Sequence, residues 1–154
     1  MPKFDLVAMG GTFDIIHKGH IALLDKAFSI SANVIIGLTS DDLAKKRGKT
    51  LQNPYQKRYE ILEKTIKQNF PNMSYQISKL ENDFGPAVLE KDVQALVVSE
   101  ETGEQGSVLN KLRKEKNLEP VKVIVVPMIL AKDGTRISTT RIKNSEIDTE
   151  GNLR

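Results

Sequence analysis

The sequence predicts one α/β domain, Rossmann-like, with a five-stranded parallel sheet wound by helices on both faces. Three observations predict it. Apolar runs of strand length recur five times, at 4–9, 34–38, 73–77, 95–98 and 121–126. Segments of helical period lie between them, the order that gives parallel strands and right-handed crossovers. The first strand breaks at Gly10-Gly11 into a tight turn that opens a helix.

Each element has its own signal. Leu6-Val7-Ala8-Met9 in the first strand is continuously apolar, as a strand buried on both faces tends to be. Ile21, Leu24, Ala27 and Phe28 line one face of the first helix, and Tyr55, Tyr59, Leu62, Ile66 and Phe70 line one face of another. That second helix has a start signal in Asn53 as N-cap, Pro54 at the first helical position and Gln56 at the third. Val108, Leu109 and Leu112 mark a third helix, with basic residues in its last turn. A final helix is predicted near Ser138, with Ile137 and Ile142 as a hydrophobic staple. Residues 1–154 read as a single domain with a polar tail at about 146–154.

Composition narrows the function. The chain has 154 residues, 39% of them apolar, and no apolar run approaches the ~20 residues that span a bilayer. With no signal-peptide pattern at its start, a soluble cytoplasmic protein is expected, without a membrane partner. The absence of cysteine excludes disulfides, thiolate metal sites and a Cys nucleophile, and two histidines make a structural zinc site unexpected. The net charge is +3, with its densest cluster at Lys45-Lys46-Arg47-Gly48-Lys49. Nucleic-acid binding calls for a broad basic face with stacking aromatics, and aromatics are few here, with no tryptophan. Small phosphorylated ligands fit the charge better.

Gly10-Gly11-Thr12-Phe13-Asp14 followed by His17-Lys18-Gly19-His20 describes a phosphate cradle. Glycine lets backbone pass close to a phosphate, a helix start supplies unpaired N–H groups, and His17 and His20 share one face of the first turn. In a parallel sheet, ligands bind beyond the carboxyl ends of the strands where strand order reverses. The stretches 10–20, 39–49, 99–106 and 127–140 leave such ends and are expected to converge on one rim.

These residues resemble the HxGH nucleotidylyltransferase superfamily. Ile137-Ser138-Thr139-Thr140-Arg141-Ile142, about 120 residues on, resembles its second signature. Gly37-Leu38-Thr39-Ser40-Asp41-Asp42, Phe84-Gly85-Pro86-Ala87, Val97-Val98-Ser99-Glu100-Glu101-Thr102 and the closing Arg141–Asp148 stretch are similar to the archaeal-type phosphopantetheine adenylyltransferases. That resemblance implies adenylyl transfer from ATP to 4′-phosphopantetheine, giving dephospho-coenzyme A and pyrophosphate. The nucleophile is already an anion, so the site needs donors and cations rather than a strong base.

The resemblance also implies roles. His17 and His20 bind the triphosphate, and His20 stabilises the transition state at the α-phosphate; a helix-cap histidine is the plain alternative. Gly10, Gly11, Ser99, Ser138, Thr139, Thr140 and Arg141 are further ATP contacts, the hydroxyls serving equally as N-caps. Thr12, Phe13, Thr39, Arg47 and Lys49 are expected on the phosphopantetheine side. Thr12 is also ordinary turn chemistry. Lys49 or Arg47 clamps the reacting phosphates, with Lys46 behind them. Gly103 and Gly106 suit a loop against the nucleotide or a simple turn, and 84–87 suits the pantetheine arm or a turn. Mg²⁺ arrives on the ATP phosphates with no protein ligand assigned; Asp14 is expected to cap backbone amides instead. The rivals are a cytidylyltransferase, an FAD synthetase, or a nucleotide sensor without catalysis.

Overall fold

The computed structural model describes residues 3–48, 50–81, 92–99 and 105–126. Five strands, β1 (Phe4–Gly11), β2 (Ser31–Thr39), β3 (Ser74–Leu80), β4 (Ala95–Ser99) and β5 (Lys122–Val126), form one sheet in the order β3-β2-β1-β4-β5, with every pairing parallel. The helices are α1 (Lys18–Ile30), α2 (Asp41–Lys46), α3 (Tyr55–Asn69) and α4 (Gln105–Glu115). The five strands and the doubly wound architecture expected from the sequence are present.

Both faces of the sheet are covered. Val7, Met9, Val34, Ile36, Ala95 and Val97 pack against Leu24, Ala27 and Phe28 of α1 and Leu62 and Ile66 of α3. Ala8, Ile35, Leu96 and Val98 form a second cluster with Leu109 of α4. Alternate residues of one strand therefore serve opposite cores, which is why β2 reads as an unbroken apolar run. The strand order reverses between β1 and β4, so the turn after β1 leaves the sheet at its switch point.

Three local expectations change. The N-cap of α3 is Pro54, with no side-chain cap bond, because Asn53 is held elsewhere: its N–H donates to Asp14 Oδ1 (2.9 Å) and its Nδ2 to the Asp14 carbonyl (2.9 Å). Met73 lies outside β3 and is 44% exposed, and Val108 faces away from the core at 51%. The stretch after Thr39 is not all loop. Ser40 Oγ accepts the Leu43 N–H (3.0 Å) and starts α2, whose Leu43 and Ala44 are buried. The staple at Ile137 and Ile142 and the tail from 146 lie outside the described residues.

Candidate active site

His17 is the N-cap of α1 and His20 its third helical residue. The Gly19 N–H donates to His17 Nδ1 (3.1 Å), and the His17 N–H donates to His20 Nδ1 (3.1 Å). This is a capping box in which both polar side chains are imidazoles. Because each Nδ1 accepts a backbone N–H, each neutral ring carries its proton on Nε2. The cap and the donor readings of these histidines are therefore compatible: capping through Nδ1 fixes the tautomer that donates through Nε2. The rings stack with centroids 4.0 Å apart, and Phe13 lies beneath His20 at 4.9 Å.

Gly19 is required by this arrangement. A Cβ there would sit 2.9 Å from His17 Cε1, so a side chain would push the imidazole off its cap. Gly10 and Gly37 answer to a different neighbour. They face each other across β1 and β2, and Leu80 covers both: a Cβ on Gly37 would lie 2.7 Å from Leu80 Cγ, and one on Gly10 3.2 Å from Leu80 Cδ1. At Gly11 an added Cβ would meet the Phe13 ring at 3.1 Å. Glycine near the cradle is thus demanded by packing within the protein, a reason the motif alone does not disclose.

The turn after β1 is tied from behind. Phe13 has φ of 51°, the left-handed region that a bulky residue rarely adopts, and its ring is 1% exposed in the core. Asp14, also buried, accepts the N–H groups of Gln52 (2.8 Å) and Asn53 (2.9 Å) through its two carboxylate oxygens. It caps backbone amides as expected, but those of a segment nearly forty residues away. Thr39, fully buried, donates its hydroxyl to the Gly11 carbonyl (3.1 Å). Arg58, fully buried too, donates to the carbonyls of Thr12 (2.9 Å), Thr39 (2.7 Å) and Asn53 (3.1 Å) and to Asp41 Oδ1 (2.7 Å). The hydrogen bond from Arg58 is the main reason the Asp41 carboxyl is held below its ordinary value of 3.8.

Residues 8–145 match the family model for cytidylyltransferase-like proteins. The chain is 42% identical over 156 residues to the phosphopantetheine adenylyltransferase of Pyrococcus abyssi, covering 99% of this chain and 97% of that one. It is 39% identical over 156 residues to the phosphopantetheine adenylyltransferase of Methanosarcina acetivorans, covering 100% of this chain and 97% of that one. The chain belongs to the phosphopantetheine adenylyltransferase family, within the cytidylyltransferase-like fold. A solved structure from Archaeoglobus fulgidus, of a protein of unknown function, superposes with a TM-score of 0.70 at 30% identity, over 80% of this chain and 89% of that one.

As a member of this adenylyltransferase family, the chain brings Gly10, Gly11, Thr12, His17 and His20 together at the switch point, with Thr39 and Ser99 at the carboxyl ends of the flanking strands. Arg47 is the C-cap of α2, its N–H donating to the Leu43 carbonyl (3.1 Å). Two expectations for the acceptor side are revised. The Phe13 ring belongs to the core, and the Thr39 side chain is spent on Gly11, so neither offers its side chain to a ligand. Gly106 lies in the first turn of α4, where an added Cβ would collide with the Val123 side chain, so it packs on β5. Lys49, Gly103, Ser138, Thr139, Thr140, Arg141 and residues 84–87 lie outside the described residues.

Sequence reasoning missed Arg58. Its signal is positional: an arginine between Tyr55, Tyr59 and Leu62 falls on the buried side of its own helix. It also missed α2, whose signal was Ser40 followed by Asp41-Asp42, a cap and two acidic residues in the first turn.

Proposed function

We infer that this protein transfers the adenylyl group of ATP to 4′-phosphopantetheine, yielding dephospho-coenzyme A and pyrophosphate in coenzyme A synthesis. What carries the reading is the imidazole pair with both Nδ1 atoms engaged at the switch point. It stands on a chain whose whole length matches phosphopantetheine adenylyltransferases.

A phosphate oxygen of phosphopantetheine attacks the α-phosphorus of ATP in line, a new P–O bond forms, and the bond to the departing pyrophosphate breaks. Charge grows on the α-phosphate oxygens and the leaving group. His20 donates its Nε2 proton in a hydrogen bond to the α-phosphate, and His17 does the same to the triphosphate. Neither proton need be transferred, because nucleophile and leaving group are both anions. Fixed donors of this kind need no reorganisation as charge develops.

Thr12 orients the attacking phosphate by its hydroxyl and N–H, and Phe13 contributes its N–H alone. Thr39 acts through the Gly11 carbonyl that it holds. Arg47, the C-cap of α2, and Lys49 clamp the reacting phosphates, while Gly10, Gly11 and Ser99 line the nucleotide side. Ser138, Thr139, Thr140 and Arg141 receive the β- and γ-phosphates. Mg²⁺ carried by ATP would supply positive charge at those phosphates, with no protein ligand assigned to it. Asp14, the nearest carboxylate in sequence, has both oxygens on backbone amides and fits as a brace, not a metal ligand. Among the described residues no three His, Asp or Glu side chains gather as a metal cage, and no helix is long and apolar enough to cross a membrane. ATP and phosphopantetheine as substrates support a cytoplasmic enzyme.

The test is pyrophosphate release with ATP, Mg²⁺ and 4′-phosphopantetheine, beside CTP with glycerol 3-phosphate and ATP with FMN. Turnover is expected only in the first mixture. Turnover in another would keep the phosphate site and overturn the substrate. Binding of ATP with silence in all three would make the protein a sensor.

A further inference from the structure

We propose that Arg58 is a positioning residue for the transfer, pinning the Thr12 carbonyl so that the next N–H faces the acceptor phosphate. The inference rests on the adenylyl-transfer reading. Each of its four hydrogen-bond partners belongs to a segment that serves the site. The Thr12 carbonyl lies in the turn after β1. The Thr39 carbonyl ends β2, and the Thr39 hydroxyl in turn holds Gly11. The Asn53 carbonyl belongs to the residue whose N–H and Nδ2 are bound to Asp14. Asp41 opens α2, whose last residues are Lys45 and Lys46, with Arg47 as C-cap.

The peptide between Thr12 and Phe13 is trans, so its carbonyl and its N–H point in opposite directions. With the Thr12 carbonyl drawn 2.9 Å from Nη1 in the interior, the Phe13 N–H is turned away from Arg58. This orientation coincides with the left-handed φ of 51° at Phe13, a conformation that persists only where the surroundings impose it. The neighbours of Phe13 in the chain on both sides are held, Thr12 by the buried guanidinium and Asp14 by the Gln52 and Asn53 amides. Only a planar fork of five N–H groups can reach two carbonyls through one nitrogen while serving a third carbonyl and a carboxylate with the others. Lysine would keep the charge and lose that geometry.

The imidazoles have an anchorage of their own in the capping box of α1, with the Phe13 ring against His20. Arg58 should therefore govern the acceptor and not the nucleotide. In Arg58→Lys, kcat/KM for 4′-phosphopantetheine should fall about 10²-fold, the scale of a small misplacement at a reacting centre. The Kd for ATP should stay within about threefold. In ¹H–¹⁵N spectra the Thr12 and Phe13 amides should move while the Gly19 amide stays in place. A folded Arg58→Lys protein with unchanged kinetic constants and unmoved amides overturns the proposal, as does equal loss of ATP affinity. Should that variant fail to fold, Asp41→Ala decides, because Asp41 is half-exposed and the change takes from Arg58 one of its four bonds, together with a long bond from the Tyr55 N–H (3.3 Å). It should raise KM for phosphopantetheine about fivefold, and an unchanged KM overturns the proposal. Inactive wild-type protein would sink the adenylyl-transfer reading instead, with the amide shifts still reporting on the brace.

Discussion

His20 carries two separable functions in one side chain, and two substitutions pull them apart. Its Nδ1 accepts the His17 N–H at 3.1 Å, which is the third-residue half of the capping box; its Nε2 is the donor assigned to the α-phosphate. His20→Ala removes both. Loss of a cap costs about 0.5–2 kcal/mol. For a chain of this size each kcal/mol lowers Tm by about 2–4 °C, so a drop of several degrees is expected. Loss of one preorganised donor lowers kcat by about 10²–10³. His20→Gln separates the effects, because a glutamine at this position reaches back to the N-cap N–H as in ordinary capping boxes. It should recover most of the Tm and little of the kcat. The assays are thermal unfolding followed by circular dichroism and pyrophosphate release at saturating substrates. Near-normal kcat in a folded His20→Ala protein would refute the assigned role. Full recovery of kcat in His20→Gln would show that the residue serves only as a cap.

Three further outcomes follow from the packing and the charges. Gly37→Ala places a Cβ 2.7 Å from Leu80 Cγ and should cost about 1–3 kcal/mol in urea unfolding, with much of the loss absent when it is made on a Leu80→Ala background. Asp14→Ala strips the acceptor from two backbone N–H groups and should cost about 3 kcal/mol by the same measurement, with a larger loss of turnover than of ATP affinity. Asp41→Asn tests the Arg58 pair by pH. A carboxyl depressed below 3.8 stabilises the fold above that value and loses the contribution as pH falls through the lower folded value. The wild type should therefore exceed Asp41→Asn by under about 1 kcal/mol near neutrality, since Asp41 is half-exposed, and the two should converge in acid.

Much of the site was readable in the chain because its signals are local. The break of an apolar strand at Gly10-Gly11, the His17 and His20 spacing and the continuous runs of β1 and β2 all depend on neighbours a few residues away. Alternation of strand and helix then fixes a parallel sheet, and a parallel sheet fixes the rim on which its loops emerge. The reasons behind the residues were less legible. Gly10 and Gly37 are small because Leu80 from a third strand lies over them, and Gly19 is small because His17 folds back on it.

The sequence by itself determined the α/β class, the glycine turn after β1 and the paired imidazoles. Only the tertiary structure decided that Asp14 binds amides from the start of α3, that Asn53 consequently gives up its cap, and that Arg58 holds the turn from inside. Those contacts join residues 12, 14 and 39 to residues 41, 52, 53 and 58. A buried arginine or aspartate is stable only where folding brings it partners, and neither periodicity nor spacing states which partners those will be.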